Sequence, residues 1–236
     1  MTDLASVVLL AHNEAATIQR EIAAFHDAVV RRLPHAEFIV AEDGSSDGTR
    51  ALIEQVQATY NLRITGAPER LGYARAVRNA VAAAGGDYIF ICDAGEKHEP
   101  AEFWRLWERR GEADVVIGRK TNRTDQWYRR LMTFGLNVYV RALFGIDALD
   151  SDSGMRLYNR RVVERVFGGE LFFRGFISTE IVLRATASGL RVLEVPVSYR
   201  QRAGESRGLP LHSMPRAIRR LVADTLRLKG ELRGRL

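Results

Sequence analysis

Three apolar runs in the first half of the chain end in residues that can do chemistry. Ser6-Val7-Val8-Leu9-Leu10 leads into Ala11-His12-Asn13-Glu14. Glu37-Phe38-Ile39-Val40 leads into Ala41-Glu42-Asp43-Gly44-Ser45-Ser46-Asp47-Gly48-Thr49. Tyr88-Ile89-Phe90-Ile91-Cys92 leads into Asp93-Ala94-Gly95-Glu96-Lys97-His98. Carboxylates at such positions can accept hydrogen bonds from a base or a ribose, or hold a hard cation. Glycines permit a sharp backbone path, and Ser, Thr and Asp satisfy the first N–H groups of a following helix. A capped turn between strand and helix would use the same residues as the second cluster. Three such clusters in succession instead suggest the carboxyl edge of a parallel sheet, where open α/β sheets bind ligands.

Further polar clusters follow. Gly118-Arg119 comes after the apolar run Asp114 to Ile117, and Arg129 and Arg130 lie in the next helix-like stretch. Asp150-Ser151-Asp152-Ser153-Gly154-Met155-Arg156 comes later, then Tyr199-Arg200-Gln201-Arg202-Ala203-Gly204-Glu205-Ser206-Arg207. Guanidinium forks match phosphate oxygens and keep their charge near neutral pH. A solvated helix face would also carry arginines.

The elements that must position these residues alternate. Strand-like runs span Val7 to Ala11, Glu37 to Ala41, Leu62 to Thr65, Asp87 to Cys92 and Asp114 to Ile117. Helix-like runs span Ala15 to Arg32, Thr49 to Tyr60, Gly72 to Ala84 and Pro100 to Arg110. Ile18, Ile22, Phe25 and Val29 recur at helical spacing. This alternation predicts an α/β fold with a parallel sheet covered on both faces. The second half is less regular. It predicts a helix from Trp127 to Phe144, a strand from Gly154 to Tyr158 and a helix from Asn159 to Phe167 capped by Asn159. A helix from Ser178 to Ser188 ended by Gly189 and a strand from Arg191 to Tyr199 follow, with Pro196 marking an edge or bulge. No repeat or linker divides the chain. The expected organisation is one α/β domain over 1–210 and a basic amphipathic helix over 211–236.

Composition narrows the classes. The chain has 236 residues, 46% apolar, enough for a full core. The single cysteine excludes an intrachain disulfide and a cysteine-based zinc cluster, and Cys92 lies in an apolar run that predicts a buried, inert thiol. The five histidines lack zinc-site spacing, and His98 reads as structural or surface. A net charge of +6 favours anionic partners, but no nucleic-acid-binding motif is present. No run approaches the ~18 apolar residues of a spanning helix, and the chain opens directly into a strand without a signal pattern. A cytoplasmic protein is expected, with peripheral contact to the cytoplasmic membrane face as an option for the basic Met214–Leu232 stretch. That stretch could equally dock on the domain or on a second subunit, leaving a homo-oligomer open.

In this order, from about Ser6 to about Arg207, the motifs resemble those of GT-A fold family 2 glycosyltransferases. The pattern is similar to dolichyl-phosphate mannose synthase-like and bacterial polyprenyl-phosphate glycosyltransferases. The resemblance implies a GT-A nucleotide-sugar-binding fold, with a mostly parallel mixed sheet flanked by helices. It implies an inverting enzyme that moves a sugar from a UDP- or GDP-sugar to a polyprenyl phosphate. The alternatives are a glycan or small-molecule hydroxyl as acceptor, or a transferase-like module that binds nucleotide without turnover. Residue by residue, the resemblance gives Glu14, Asp43 and Arg70 to the nucleotide. It gives Arg119, Arg130, Arg202 and Arg207 to phosphate groups, the last two in a loop resembling Arg-x-x-Gly-x-Ser-Lys but one residue shorter. Asp150, in a pattern resembling Asp-x-x-Ser-Gly-Phe, would activate or align the acceptor. Asp152 is its register alternative, as Arg129 is for Arg130.

The chain departs from the family at the third strand-end cluster. Relatives carry Asp-x-Asp, often with Gln two residues on, to hold Mg²⁺ or Mn²⁺ against the donor diphosphate. Here the register gives Asp93, then Gly95, then Lys97, with Glu96 one position late. Asp93 and Glu96 would hold the metal with shifted geometry, or Lys97 would supply part of the positive charge.

Overall fold

The computed structural model describes residues 3–121, 135, 138–144, 153–173, 176–200 and 214–232. Its strands are β1 (Ala5–Ala11), β2 (Ala36–Glu42), β3 (Leu62–Thr65), β4 (Tyr88–Asp93), β5 (Val115–Lys120), β6 (Met155–Asn159) and β7 (Val192–Val197). Its helices are α1 (Ile18–Ala28), α2 (Thr49–Val56), α3 (Tyr73–Ala83), α4 (Phe103–Trp107), α5 (Arg160–Val166), α6 (Ile177–Ala187) and α7 (Met214–Glu231). Residues 138–144 are also helical.

The seven strands form one sheet in the order β3-β2-β1-β4-β6-β5-β7. β1 runs parallel to β2 and β4, and β2 to β3; β6 is antiparallel to both β4 and β5, and β5 is parallel to β7. This is the mostly parallel mixed sheet that the resemblance predicts. The central strands are apolar almost throughout because both faces are covered. Val7, Leu9, Val40, Phe90 and Cys92 pack with Ile18, Ile22, Phe25 and Phe103 on one face. Val8, Ile39, Ile89 and Ile91 pack with Val77, Val81, Ile177 and Ile181 on the other. Cys92 is fully buried, and burial raises its thiol well above the ordinary range.

Register brings the chemistry to one edge. Leu10 pairs with Asp93 and Ala11 with Glu42, so the tips of β2, β1 and β4 end side by side. The ladder continues past the strands: the Asp43 N–H donates to the Ala11 carbonyl at 3.0 Å and the Ala94 N–H to the Leu10 carbonyl at 2.9 Å.

Several expected elements are shorter than the periodicity suggests. The Ala15 to Arg32 stretch yields α1 and a separate 3₁₀ turn, Val30–Arg32, while Pro100 to Arg110 yields a 3₁₀ turn, Pro100–Glu102, and the short α4. The Asn159 side chain caps α5 by accepting from the Val162 N–H at 3.2 Å. Gly189 ends α6 with a φ of 70°. Pro196 sits in β7, which among the described residues pairs only with β5, so its missing N–H costs no ladder bond on the open side. A third apolar cluster joins Val140, Phe144, Phe173 and Leu183 to Leu228 and Leu232, seating one side of α7 on the domain.

Candidate active site

Asp43 is buried, and its carboxylate holds a loop. Oδ1 accepts from the Leu71 N–H at 2.8 Å and Oδ2 from the Gly72 N–H at 3.0 Å. Gly44, at φ 60°, makes this possible: a side chain there would put its first carbon 2.2 Å from the Arg70 nitrogen. The end of β2 is thus fastened to the segment that enters α3. Arg70 itself is exposed on that segment. Each Asp43 oxygen keeps a second acceptor site beyond its backbone bond.

The next residue, Tyr73, reaches the end of β4. Its hydroxyl donates to Asp93 Oδ1 at 2.8 Å and accepts from Arg156 Nη2. Arg156 lies on β6 opposite Ile91 and is essentially buried. Its other terminal nitrogen donates to the Ser178 hydroxyl, and its guanidinium lies 3.6 Å from Asp93 Oδ1. Burial alone would lower the Arg156 pKa, but Tyr73, Tyr158 and Asp93 outweigh it, so the guanidinium stays charged. Burial raises the Tyr73 hydroxyl well above its usual range, so it stays protonated and serves as donor to Asp93. The residue as a whole is nevertheless 36% exposed.

Gly154 closes the other side of Asp93. Its carbonyl accepts from the Asp93 N–H at 3.0 Å. A side chain at Gly154 would place its first carbon 2.7 Å from His98 Nε2 and 2.9 Å from Asp93 Oδ2, so both groups crowd a position that only glycine can fill. His98 is buried, not on the surface, and lies edge-on to Tyr199. Burial pushes its imidazole down to about 4; Asp93 opposes that shift, while Lys120, Lys97 and Arg156 add to it. The ring is neutral near pH 7.

Below the same tip lies an acid group. Glu14 is buried, and its backbone N–H donates to Thr49 Oγ1 at 2.8 Å. Its carboxylate packs on Gly95, where a first side-chain carbon would stand 3.2 Å from Oε1 and 3.3 Å from Oε2. Glu21 accepts from the Gly95 N–H at 2.8 Å. Burial pushes its carboxyl up to about 7; the Gly95 and Glu96 N–H groups oppose the shift, and Glu14 and Glu96 add to it. Glu96, at φ 53°, pairs with Arg20 at 3.2 Å on an exposed surface.

Of the residues singled out in the sequence, Asp43, Arg70, Asp93 and Glu14 gather around adjoining strand tips. Lys97 follows in the β4 loop, where its carbonyl accepts from the Arg200 N–H at 2.8 Å. Arg119 turns to Glu194 at 3.6 Å. Its neighbour Lys120 instead places its ammonium 5.0 Å from the Tyr199 ring centre, nearer the site. Arg130, Asp150, Arg202 and Arg207, with the alternatives Arg129 and Asp152, lie outside the described residues. Sequence reasoning missed Tyr73, Arg156, Ser178 and the burial of His98. An arginine inside the apolar β6 run was the signal available for Arg156.

A divalent ion fits this tip in one way. Asp93 is 27% exposed, and its Oδ2 is clear of the Tyr73 bond. Among the described residues no group of three His, Cys, Asp or Glu could hold a metal, and Glu96 faces Arg20. The residues present suit a hard cation anchored by one carboxylate, the remaining ligands coming from phosphate and water.

A model of the glycosyl transferase family 2 matches residues 6–167. Undecaprenyl-phosphate 4-deoxy-4-formamido-L-arabinose transferase of Aeromonas hydrophila is 28% identical over 208 residues, covering 86% of this chain. The match spans 62% of that relative's length. Polyprenol monophosphomannose synthase of Mycolicibacterium smegmatis is 27% identical over 213 residues, covering 83% of this chain and 77% of that one. Among solved structures, glucosyl-3-phosphoglycerate synthase of Mycobacterium tuberculosis, with Mn²⁺, UDP-glucose and phosphoglyceric acid, superposes with a TM-score of 0.71 at 23% identity. That match covers 97% of this chain and 80% of the other, a likeness of fold.

Proposed function

We propose, from the premise that this chain belongs to glycosyl transferase family 2, that it moves a sugar from a nucleotide-activated donor to a polyprenyl phosphate. The observation that carries the reading is the continuity of the site. Asp43 fixes Leu71 and Gly72, and the adjoining Tyr73 fixes Asp93. A nucleoside held at Asp43 and Arg70 and a diphosphate held at Asp93 would therefore rest on one connected edge. The relatives named for polyprenyl and undecaprenyl phosphate support that acceptor class.

In this reading an acceptor oxygen attacks the anomeric carbon, and the bond to the donor diphosphate breaks with its electron pair leaving on phosphate. A divalent ion, when bound, would neutralise the charge growing on that leaving group. Asp93 would hold it, with the neighbouring Lys97 supplying a further positive charge. Tyr73 and Arg156 hold the Asp93 carboxylate in a fixed direction, so little reorganisation is needed as charge develops. Arg130, Arg202 and Arg207 are assigned to phosphate groups, which Arg119 would join by leaving Glu194, 3.6 Å away; Glu14 would contact the nucleotide or order its loop. A phosphate acceptor is already anionic, so Asp150 would align it; a hydroxyl acceptor would hand its proton to Asp150. The domain over 1–210 would carry all of this.

Among the described residues no helix is long and apolar enough to cross a membrane. An enzyme with a polyprenyl phosphate acceptor would meet its substrate at a bilayer surface, and the cytoplasmic face is the one proposed for it. The test is a panel of UDP- and GDP-sugars with and without Mn²⁺, read by thermal shift, followed by mass spectrometry of products formed with polyprenyl phosphate. A shift with one nucleotide class and a glycosylated lipid product are expected. Failure of every donor to shift melting would overturn the reading.

A further inference from the structure

We propose that the outer face of α7 is a docking surface for an anionic lipid bilayer, with Ile218, Val222 and Leu226 entering the interface and Arg216 and Arg219 meeting the headgroups. This inference stands on its own observations and its test needs no donor, so its failure leaves the transfer reading intact, and the reverse also holds.

The helix is held to the body along one side. Leu228 and Leu232 are buried in the third apolar cluster. The Tyr139 hydroxyl meets Thr225 Oγ1 at 2.7 Å, and Arg184 pairs with Glu231 at 2.7 Å. A helix needing only this seat would be polar elsewhere. Instead Ile218, Val222 and Leu226 are 50%, 36% and 54% exposed. Spaced by four, they form one stripe along the free side. Arg219 and Arg216 are exposed along its border, whereas Arg220 projects from the opposite arc. The helix's acids lie away from the stripe: Glu231 turns to Arg184, and Asp224 sits one turn from the buried Leu228.

The charge arrangement selects the occupant. A second copy packed stripe to stripe would bring two sets of arginines together, with no acid on that arc to answer them. A bilayer surface bearing anionic headgroups complements both the stripe and its border. The face is the convex side of a single helix, which suits a plane of lipid better than an extended peptide. α7 is not apolar enough to cross the bilayer, so it would lie in the plane of the interface.

The experiment is sedimentation of the full chain with vesicles of phosphatidylcholine alone and of phosphatidylcholine mixed with phosphatidylglycerol. Binding should require phosphatidylglycerol and fall with added salt. Replacing Arg216 and Arg219 by Gln should weaken it by about fivefold per charge. The triple change Ile218→Ser, Val222→Ser and Leu226→Ser should weaken it at least about tenfold while the protein stays folded, since each side chain is a third or more exposed. Absence of binding to either vesicle at low salt would overturn the proposal. So would equal binding by the serine variant, binding indifferent to phosphatidylglycerol, or a concentration-dependent dimer that the serine variant abolishes.

Discussion

The Tyr73 hydroxyl donates to Asp93 at 2.8 Å while accepting from the buried Arg156. One side chain at the start of α3 therefore sets the direction of the carboxylate at the tip of β4. Removing only that oxygen is a clean perturbation. Tyr73→Phe should keep the fold at a modest cost in stability, because the buried Arg156 loses one acceptor. It should lower kcat/KM by about 10- to 100-fold through misplacement of Asp93. Steady-state kinetics with the identified donor, alongside thermal melting, separate this loss from simple unfolding.

Arg156 should matter more for stability than for exposed chemistry. It is buried, and its charge is answered by Tyr73, Ser178 and Asp93. Arg156→Met removes the buried charge but leaves the Ser178 hydroxyl without that donor. Loss of about 1–3 kcal/mol in urea unfolding is expected, since buried polar partners are left unsatisfied. Arg156→Lys should recover part of that stability without restoring the two-pronged contact.

Writing the family's second aspartate back into the β4 loop should fail. Gly95 has a φ of 110°, and a side chain there would start 3.2 Å from a Glu14 oxygen. Gly95→Asp should destabilise the protein by at least about 1–3 kcal/mol through backbone strain, before counting carboxylate repulsion. Combining it with Glu14→Gln should relieve the repulsion alone. Melting temperatures of the single and double variants check this ordering. A Gly95→Asp protein as stable as the parent would show that the loop adopts another path.

Acid sensitivity should trace in part to Asp114. Burial pushes its carboxyl upward, but hydrogen bonds from Asn159 and the Arg191 N–H, with the Arg161 charge, more than offset this and leave it lowered. A lowered carboxyl binds fewer protons folded than unfolded. Its contribution is complete above the unfolded value of about pH 4 and is lost as pH falls through the folded one. Asp114→Asn should therefore cost stability at neutral pH and flatten the acid limb of the stability curve. Urea titrations from neutral to acid pH measure both effects.

The sequence revealed what depends on chain order and hid what depends on folding across it. Asp43 and Asp93 were legible because each ends an apolar run, and a strand tip in a parallel sheet is a ligand edge. Asn159 as a cap and Gly189 as a helix stop were legible because their signals are local. The Arg156–Tyr73–Asp93 contact was not, because it joins β6, α3 and β4 through an antiparallel pairing that no local pattern announces. Glu96 looked like a ligand by proximity in sequence, but its positive φ turns it to Arg20. His98 looked incidental because nothing local marked that Gly154 would leave room for it beside Asp93. Arg119 and Lys120 show the cost of a period-2 element: adjacent cations leave a strand on opposite faces, and the one nearer Tyr199 is Lys120.

The central claim is that the tips of β2 and β4 act as one donor site. Isothermal titration of UDP- and GDP-sugars, with Mn²⁺ present, into the parent protein, Asp43→Ala and Asp93→Asn tests it directly. The account expects one donor to bind the parent, with affinity lowered at least about tenfold in each variant while both remain folded. Unchanged affinity in both folded variants, alongside clear binding by the parent, would contradict it.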